Sequence, residues 1–450
     1  MIPTEVYKDI KEEYDGISPS MCVLKWYHLE MHLSTGQAHS CYHCPQEPLQ
    51  LDQDLHNTDS KIKQREQMMN GERPDVCSYC WDAEDAGAYS DRITLTPVHR
   101  MHDPNVITTT ASKSPKEHVY PRYLEMSFSN TCQMQCTYCG PEKSSTWEQS
   151  ITKKGEYELS EYENFHQYNH WAKRLYDDEN NPFVQKFMEW FPEAKKHLHT
   201  LRITGGEPLL HPQAFQLAKE ISESEEDRLK LGLHINSNLS LSNRRVSDMC
   251  KFLQKIPNSK IYASIDTWGT HAEWIRTGLH FGQFQQNIKT IIDHNVDIGI
   301  MCTFNILSIP KFKEMLLAIL EMKKDGAGCG EYTQHDCEIT LDTPYLTIPP
   351  HLSALIIDDK MLSELEDTLV YMQRHTDDHS RSCFSSGEYT KVKRVYQWIK
   401  RNRFTGEELK RHRKDFVKFI NIHDKRTKAN SGKWHKTFKD LHYFYEMCNE

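Results

Sequence analysis

Apolar positions between residues 123 and 348 alternate between two patterns, short continuous or alternating runs and runs with helical spacing. The short runs predict six strands, at residues 123–128, 197–204, 229–238, 260–266, 296–305 and 337–348. The helical spacing predicts four helices between them, at residues 212–225, 241–256, 281–294 and 309–324. Strands and helices in this order predict an α/β fold with a parallel sheet and right-handed crossovers, closed fully or partly into a barrel.

The chain divides into three predicted parts. The first is rich in cysteine and loops, has no long periodic helix up to residue 95, and holds one short helix near residues 57–71. A polar helical insertion at about residues 143–196 interrupts the second part, and its aromatic residues are typical of helix packing. The parts are a cysteine-rich domain at 1–107, an α/β core at 120–350 and a helical extension at 351–450, with a polar linker at 108–118.

Charge and hydropathy exclude some classes of protein. The chain has 450 residues and a net charge of −9, so its overall charge does not favour nucleic-acid binding. The segment 391–450 is basic, with 17 Lys and Arg against 7 Asp and Glu, and we interpret it as a solvated helical face that packs on the acidic core. Binding of nucleic acid or of an acidic peptide is the alternative. No apolar run of about 18 residues predicts a membrane span, and the first residues lack signal-peptide features, so we expect a cytoplasmic protein.

Fourteen cysteines in a reducing compartment are not expected to form a disulfide framework, and those that cluster are candidate metal ligands. Cys132, Cys136 and Cys139 follow the first strand directly. A structural zinc site uses four ligands, whereas three thiolates on a cubane iron–sulfur cluster leave one iron open for chemistry. The sequence Thr-Gly-Gly-Glu-Pro at 204–208 ends the second strand, where glycines allow close approach of a ligand and Glu207 is suited to an ammonium group.

These two motifs together resemble the radical S-adenosylmethionine (SAM) enzymes, over about residues 120–345. The resemblance implies a partial (β/α)6 barrel of the TIM type, with a small cysteine-rich domain before it and a helical extension after it. It implies that Cys132, Cys136 and Cys139 hold a 4Fe–4S cluster whose open iron is chelated by SAM. Reductive cleavage of SAM would give a 5′-deoxyadenosyl radical that abstracts hydrogen from the substrate. A zinc site or a chance cluster is the alternative.

The resemblance also implies which residues contact SAM. They are Tyr138, Gly205, Gly206, Glu207, Asn236, Asn238, Ser264, Asp266 and Arg276. Tyr138 could shield the cluster from water, and the glycines with Glu207 would meet the methionine end of SAM. For the polar residues that end later strands, capping of the next helix is the alternative, and for Arg276 it is a surface salt bridge.

The amino-terminal cysteines resemble the ligands of twitch or SPASM-type auxiliary domains, which here would precede the barrel instead of following it. The shared pattern assigns Cys22, Cys41, Cys77 and Cys80 as ligands, with Cys44 as a substitute for Cys41. An auxiliary 4Fe–4S cluster, a structural zinc and free thiols are the three interpretations. A fully ligated cluster would not bind SAM, but it could carry electrons or stabilise the domain.

The sequence therefore predicts a radical SAM enzyme that acts on a peptide or protein and takes electrons from a donor such as flavodoxin or ferredoxin. A dehydrogenase or a carbon–carbon rearrangement enzyme for a small molecule is the alternative among enzymes. The alternative from another class is a non-catalytic protein, stabilised by zinc or a cluster, that binds nucleic acid through its basic tail.

Overall fold

The computed structural model describes residues 4–160, 180–326, 337–429 and 432–450. Its strands are β1 His28–His32, β2 Gln37–His39, β3 Glu47–Pro48, β4 Tyr123–Ser127, β5 Gln135–Cys136, β6 Thr200–Thr204, β7 Gly232–Ser237, β8 Lys260–Ser264, β9 Arg276–Thr277, β10 Asp297–Met301 and β11 Ile339–Asp342. Its α-helices are α1 Thr4–Ile17, α2 Leu24–Tyr27, α3 Asp59–Met69, α4 Ser78–Asp85, α5 Asp91–Thr94, α6 Thr96–Arg100, α7 Val106–Ala111, α8 Ser145–Lys154, α9 Pro182–Ala194, α10 Pro212–Glu223, α11 Glu225–Lys230, α12 Asn243–Leu253, α13 Thr270–Ile275, α14 Phe281–Asp293, α15 Phe312–Gly326, α16 Asp359–Arg374, α17 Ser386–Asn402, α18 Gly406–Arg426, α19 Trp434–Thr437 and α20 His442–Asn449.

The predicted α/β class is confirmed. All six predicted strands are present, as β4, β6, β7, β8, β10 and β11, and each is shorter than its apolar run. The four predicted crossover helices are present as α10, α12, α14 and α15. The strands pair in parallel without closing into a full barrel, in agreement with the predicted partial barrel. None of the helices in the described ranges is both long and apolar enough to cross a membrane.

The chain forms two compact units, and unit 1 comprises Met1–Ser129, Arg174–Thr204 and Ser224–Leu233. In this unit β4 pairs in parallel with β6 on one side and with β1 on the other. Strands β2 and β3 extend the sheet antiparallel from β1. The cysteine-rich segment therefore contributes a parallel strand beside the first strand of the predicted core, which the sequence did not indicate.

The first part of the chain is more helical than its sequence indicated. The expectation of no long periodic helix before residue 95 is wrong, because α1 runs for 14 residues. Ile10 and Tyr14 are four residues apart on this helix and are both buried in one core cluster with Trp26, Met68 and Trp81. The predicted linker is also partly helical, since α7 covers its first residues. The short helix expected near residues 57–71 is α3.

Unit 2 comprises Asn130–Lys173, Gly205–Glu223 and His234–Glu450. Strands β7, β8, β10 and β11 pair in parallel in that order, with residues 234–237 of β7 in register with residues 260–263 of β8. A separate antiparallel ribbon joins β5 to β9, with Cys136 opposite Arg276. Helix α8 lies in the predicted insertion, of which residues 161–179 fall outside the described residues.

The basic tail packs into unit 2, as the sequence interpretation expected. Helix α18 buries one face, and His423 on this face bonds through its two ring nitrogens to the hydroxyls of Tyr157 (3.1 Å) and Thr277 (3.1 Å). Asp424 on the same helix accepts a hydrogen bond from the indole of Trp274 (2.9 Å). The lysines of this helix, Lys410, Lys414, Lys418 and Lys425, are exposed, whereas Asp415 lies on the buried face.

Gly36 and Gly71 allow a test of packing in unit 1, because both have positive φ and only Gly36 is crowded. A Cβ on Gly36 would lie 2.4 Å from the ring of Phe183, whereas a Cβ on Gly71 would meet nothing within 4 Å. We expect Gly71→Ala to cost about 1–2 kcal/mol in the free energy of unfolding, from backbone strain alone. Gly36→Ala should cost roughly 1–3 kcal/mol more, from overpacking. Urea unfolding of the full chain measures both values, and equal losses would contradict the packing described.

Candidate functional site

The three cysteines that follow β4 lie in one loop of unit 2. Cys132 and Cys136 are buried, and Cys139 is half-buried. Burial raises the pKa of Cys132 to about 12 and that of Cys136 to about 11, and it raises the pKa of Cys139 well above its usual range. As free thiols these groups stay protonated at neutral pH, so binding of a metal there would release protons.

The first turn of α8 anchors this loop through its side chains. The hydroxyls of Ser145 (3.2 Å) and Thr146 (2.7 Å) donate to the carbonyl oxygen of Cys132, and the indole of Trp147 donates to that of Cys136 (2.8 Å). Trp147 is fully buried, so its hydrogen bond is shielded from water. The sequence Ser-Ser-Thr-Trp at 144–147 could have indicated an anchor, because hydroxyl residues at a helix start bond to nearby backbone.

A buried ion pair connects the loop to the end of β8. The guanidinium of Arg276 donates through Nε to Asp266 Oδ2 (2.9 Å) and through Nη2 to the Tyr138 hydroxyl (2.6 Å). The Tyr138 hydroxyl donates in turn to the Asp266 carboxylate (2.9 Å), and the Thr303 N–H donates to Asp266 Oδ1 (3.1 Å). Three predicted site residues thus form one network, and Thr303 is a member that sequence reasoning missed.

Arg276 also lies close to one of the loop sulfurs. Its Nη1 lies 3.8 Å from Cys136 Sγ, and β9 holds it directly opposite Cys136. Burial alone would lower the pKa of Arg276, but the Asp266 carboxylate holds it well above its usual range. A permanent positive charge therefore faces a cysteine that is predicted to bind metal as a thiolate.

Glu207 connects the ends of two strands and is completely buried. Its carboxylate accepts hydrogen bonds from the Ser237 hydroxyl (2.8 Å) and from the N–H groups of Leu209 (3.1 Å) and Asn238 (2.7 Å). Its own N–H donates to the Thr131 carbonyl oxygen (2.9 Å), so the Gly-Gly-Glu-Pro segment is bonded to the cysteine loop. Burial raises the pKa of Glu207 to about 7, against the lowering effect of the three donors.

Of the two glycines before Glu207, Gly206 lies close to the cysteine loop, and the predicted approach of a ligand to these glycines stays a prediction. Gly205 has a φ of +108°, a conformation that side chains rarely adopt. A Cβ on Gly206 would lie 2.3 Å from the Thr131 carbonyl oxygen. Any side chain at Gly206 would therefore displace the backbone of the cysteine loop.

The remaining predicted contacts divide into two groups. The amide of Asn238 lies 3.8 Å from Cys132 Sγ, and its Oδ1 accepts a hydrogen bond from Gln133 (3.1 Å), a residue that sequence reasoning missed. Asn236 instead directs its amide to the sulfur of Met301 (3.9 Å), and Ser264 is the half-buried last residue of β8. Asn238 is thus placed at the loop, while no hydrogen bond described here joins Asn236 or Ser264 to it.

The five amino-terminal cysteines converge in unit 1. They are Cys22, Cys41, Cys44, Cys77 and Cys80, and all line one small cavity. Cys44 Sγ lies 3.4 Å from Cys41 Sγ and 4.0 Å from Cys77 Sγ. The residue predicted as a substitute ligand is therefore at the centre of these contacts.

A buried lysine faces these sulfurs. Lys25 is 2% exposed, and its ammonium donates to Cys44 Sγ (3.5 Å) and to the side-chain carbonyl of Gln64 (2.7 Å). Burial would lower the pKa of Lys25, but the nearby cysteine thiolates raise it above its usual value. In the described ranges no carboxylate pairs with this ammonium. A buried charge needs a partner of opposite sign, and the thiolates are the groups that can provide one.

In the part of the chain that the structure describes, no group of three or more His, Cys, Asp and Glu side chains has the arrangement of a single-ion metal site. The donor chemistry of both cysteine sets nevertheless suits a thiolate-bound centre, because each set has a buried cation within 4 Å of a sulfur. The ligand assignments made from the sequence remain predictions.

Comparison with known proteins identifies one domain. Residues 126–322 match the model of the Radical SAM superfamily, a segment that includes the cysteine loop and Glu207. No curated protein matches the chain. The family model, rather than any single structure, carries the assignment.

Three solved structures resemble the chain at low identity. The structure of tagged anSMEcpe with bound AdoMet is 15% identical with a TM-score of 0.34, over 56% of this chain and 60% of that one. Streptococcus suis SuiB bound to S-adenosylmethionine is 14% identical with a TM-score of 0.38, over 81% and 69%. SuiB bound to precursor peptide SuiA is 14% identical with a TM-score of 0.37, over 63% and 54%. The chain thus spans only 60% and 54% of the matched anSMEcpe and peptide-bound SuiB chains.

Gly206→Ala tests the contact between the glycine segment and the cysteine loop. We expect a loss of about 1–3 kcal/mol in the free energy of unfolding and a clear fall in iron bound after anaerobic reconstitution, because the new Cβ displaces Thr131. The matched control is Gly282→Ala in α14, where a Cβ meets nothing within 4 Å. Iron and sulfide analysis with urea unfolding measures both effects. Unchanged iron in Gly206→Ala would contradict the proposed position of the loop.

Proposed function

Because residues 126–322 form a radical SAM domain, we propose that Cys132, Cys136 and Cys139 hold a 4Fe–4S cluster at which this enzyme cleaves SAM. A cluster held by these residues would supply the electron for reductive cleavage of SAM, which leads to abstraction of a hydrogen atom from the substrate. The observation that carries the proposal is the hydrogen bond from the Glu207 N–H to the Thr131 carbonyl (2.9 Å). It joins the two motifs of the domain in one site.

The chain's own residues have separate roles in this proposal. Gly205 and Gly206 give the methionine end of SAM access to the backbone, and Glu207 accepts from its ammonium group. Arg276 and Asp266 hold the loop in place, because their polar atoms are bonded to each other and to Tyr138. The Arg276 guanidinium also offsets negative charge on the thiolates. The proposed SAM contacts also include Asn238, whose amide lies near Cys132 Sγ. Asn236 and Ser264 are included on the sequence pattern alone.

The five thiols of unit 1 hold a second metal centre in this proposal, and Lys25 is its main support. Four thiolates on a divalent ion or on a 4Fe–4S cluster leave the centre negatively charged, which gives the buried ammonium of Lys25 its partner. The twitch or SPASM-type pattern in the sequence favours a 4Fe–4S cluster. Ligands come from Cys22, Cys41, Cys77 and Cys80, with Cys44 able to replace Cys41.

Zinc is the second candidate for this centre, because sets of four cysteines commonly bind zinc. A Zn–S bond of about 2.3 Å in a tetrahedron places sulfurs about 3.8 Å apart. The separations of 3.4 Å and 4.0 Å around Cys44 are near that value, but the described cysteines do not form a single-ion site in this structure. In a cubane cluster each thiolate binds its own iron, so the sulfurs lie further apart.

The substrate in this proposal is a peptide or protein, and the support is the twitch or SPASM-type pattern of the first domain. The cluster needs a single-electron donor, for which flavodoxin or ferredoxin is suited. The proposed compartment is the reducing cytoplasm, because every cysteine in the described ranges is a free thiol.

Cys136→Ala tests the radical cluster. We expect a loss of about four irons per chain and no 5′-deoxyadenosine after dithionite and SAM are added, because one of three thiolate ligands is removed. The control is Cys383→Ala, which removes a half-buried thiol that is a ligand of neither proposed cluster. It should leave the iron content and the yield of 5′-deoxyadenosine unchanged. Liquid chromatography quantifies the nucleoside. Deoxyadenosine formation by Cys136→Ala would refute the assignment of this loop.

The triple variant Cys132→Ala/Cys136→Ala/Cys139→Ala isolates the second centre for metal analysis. We expect about four irons per chain to remain. Adding Lys25→Met should lower the retained metal, because it removes the buried charge that faces Cys44, whereas Lys63→Met on the exposed side of α3 should not. If metal analysis of the triple variant finds one zinc per chain, the second centre is a zinc site and not a cluster. If it finds no metal, the proposal of a second centre is wrong.

A further inference from the structure

A basic cavity of unit 1 lies at the amino-terminal ends of three parallel strands. Tyr27, Arg122 and His199 directly precede β1, β4 and β6, and all three line it. Their backbones are bonded together, since the Arg122 N–H donates to the Tyr27 carbonyl (2.8 Å) and the His199 N–H to the Arg122 carbonyl (2.8 Å). The cavity measures about 380 Å³, which is within the size range of small-ligand pockets. The cysteine loop follows the opposite, carboxyl end of β4.

The residues that line this cavity carry positive charge and no negative charge. Its permanent cations are Lys113, Arg122, Lys196 and Lys230, and none of its lining residues is Asp or Glu. Carboxylates outside the lining pair with four of its residues, and three of these pairs are Asp103 with Arg122 (3.1 Å), Glu193 with Lys196 (2.5 Å) and Asp54 with His118 (3.2 Å). Glu117 also pairs with Lys113. Lys230 donates to a backbone carbonyl, that of Lys196.

Two polar atoms of the cavity wall are buried without a hydrogen-bond partner in the described residues. They are Nη1 of Arg122 and Nδ1 of His199. The other side of the Arg122 guanidinium is already fixed, by Asp103 and by the Tyr27 ring 4.1 Å below it. Buried nitrogens rarely lack a partner, and an accepting group bound at the cavity wall would give these two nitrogens one.

The four histidines that line the cavity do not suit a metal ion. Burial, together with the neighbouring His102 and the charges of Arg122 and Lys230, lowers the pKa of His199 to about 4. Burial and Arg122 also lower the pKa of His102. A site whose positive potential disfavours a proton on imidazole also disfavours a divalent cation. His118 and His197 stack on or against Tyr120 instead of facing one another.

We propose that this cavity binds the phosphate group of a small ligand, with Arg122, Lys196 and Lys230 as its charged contacts and Nδ1 of His199 as a further donor. Arginine and lysine are the usual partners of phosphate oxygens, and a free guanidinium N–H supplies a directed hydrogen bond. The cavity has room for an organic group beside the phosphate. The site lies at the strand edge that α/β enzymes do not use for catalysis, so it would bind a regulatory or second ligand.

Isothermal titration of the full reconstituted chain with sodium pyrophosphate, at constant ionic strength, tests this site. We expect one saturable site per chain in the wild type. The double variant Lys196→Ala/Lys230→Ala should bind about tenfold more weakly, because two charge-assisted contacts are lost. The control is Lys116→Ala/Lys219→Ala, which removes the same charge from exposed lysines outside the cavity and should bind within about twofold of wild type.

Three outcomes would overturn the proposal. The first is no saturable heat with pyrophosphate, and the second is equal weakening in both double variants, since that reflects net charge alone. The third is binding of a single-stranded oligonucleotide, steeply dependent on salt, by a chain that does not bind pyrophosphate. That result would assign the surface to a nucleic-acid backbone.

Discussion

A buried thiolate is stabilised by a nearby positive charge, and each cysteine set of this chain has one beside a sulfur. In unit 2 the Arg276 guanidinium lies 3.8 Å from Cys136 Sγ, and in unit 1 the Lys25 ammonium lies 3.5 Å from Cys44 Sγ. The two cations differ in what else holds them. Arg276 is paired with Asp266 and so is stable without metal, whereas Lys25 has only a neutral amide besides the sulfurs among the described residues. The folding of unit 1 should therefore depend more on its proposed metal centre than the folding of unit 2 depends on the proposed cluster.

The position of the cysteine loop in unit 2 depends on short-range anchors as well as on charge. The hydroxyls of α8 bond to the carbonyl of Cys132, and Trp147 bonds to that of Cys136, so two of the three cysteines are fixed through their backbones. The β5–β9 ribbon then sets Arg276 opposite Cys136. The anchors from α8 bond to backbone carbonyls and not to sulfur, so the thiols of Cys132 and Cys136 remain available to bind metal.

The sequence predicted those features that depend on local pattern. The six parallel strands were visible because their buried apolar positions alternate or run together along each strand, and the cysteine spacing and the Gly-Gly-Glu-Pro segment are contiguous motifs. It did not predict contacts between residues far apart in the chain, such as Lys25 with Cys44 or Trp147 with Cys136. Strand β1 was missed as a partner of β4 for a different reason. Its five residues include two histidines and a glutamate, so they show no apolar run.

Glu207 shows how one residue can serve both the fold and the proposed ligand. Oε1 already accepts two hydrogen bonds, from Leu209 and Ser237, while Oε2 accepts one from Asn238. A carboxylate oxygen has two acceptor positions, so an ammonium group can bind Oε2 without breaking any of these bonds. Burial has raised the pKa of this carboxyl to about 7, and an adjacent positive charge would lower it again. Binding of a cationic ligand at Oε2 would therefore be coupled to loss of a proton near neutral pH, and the ligand would be held more tightly as the pH rises through about 7.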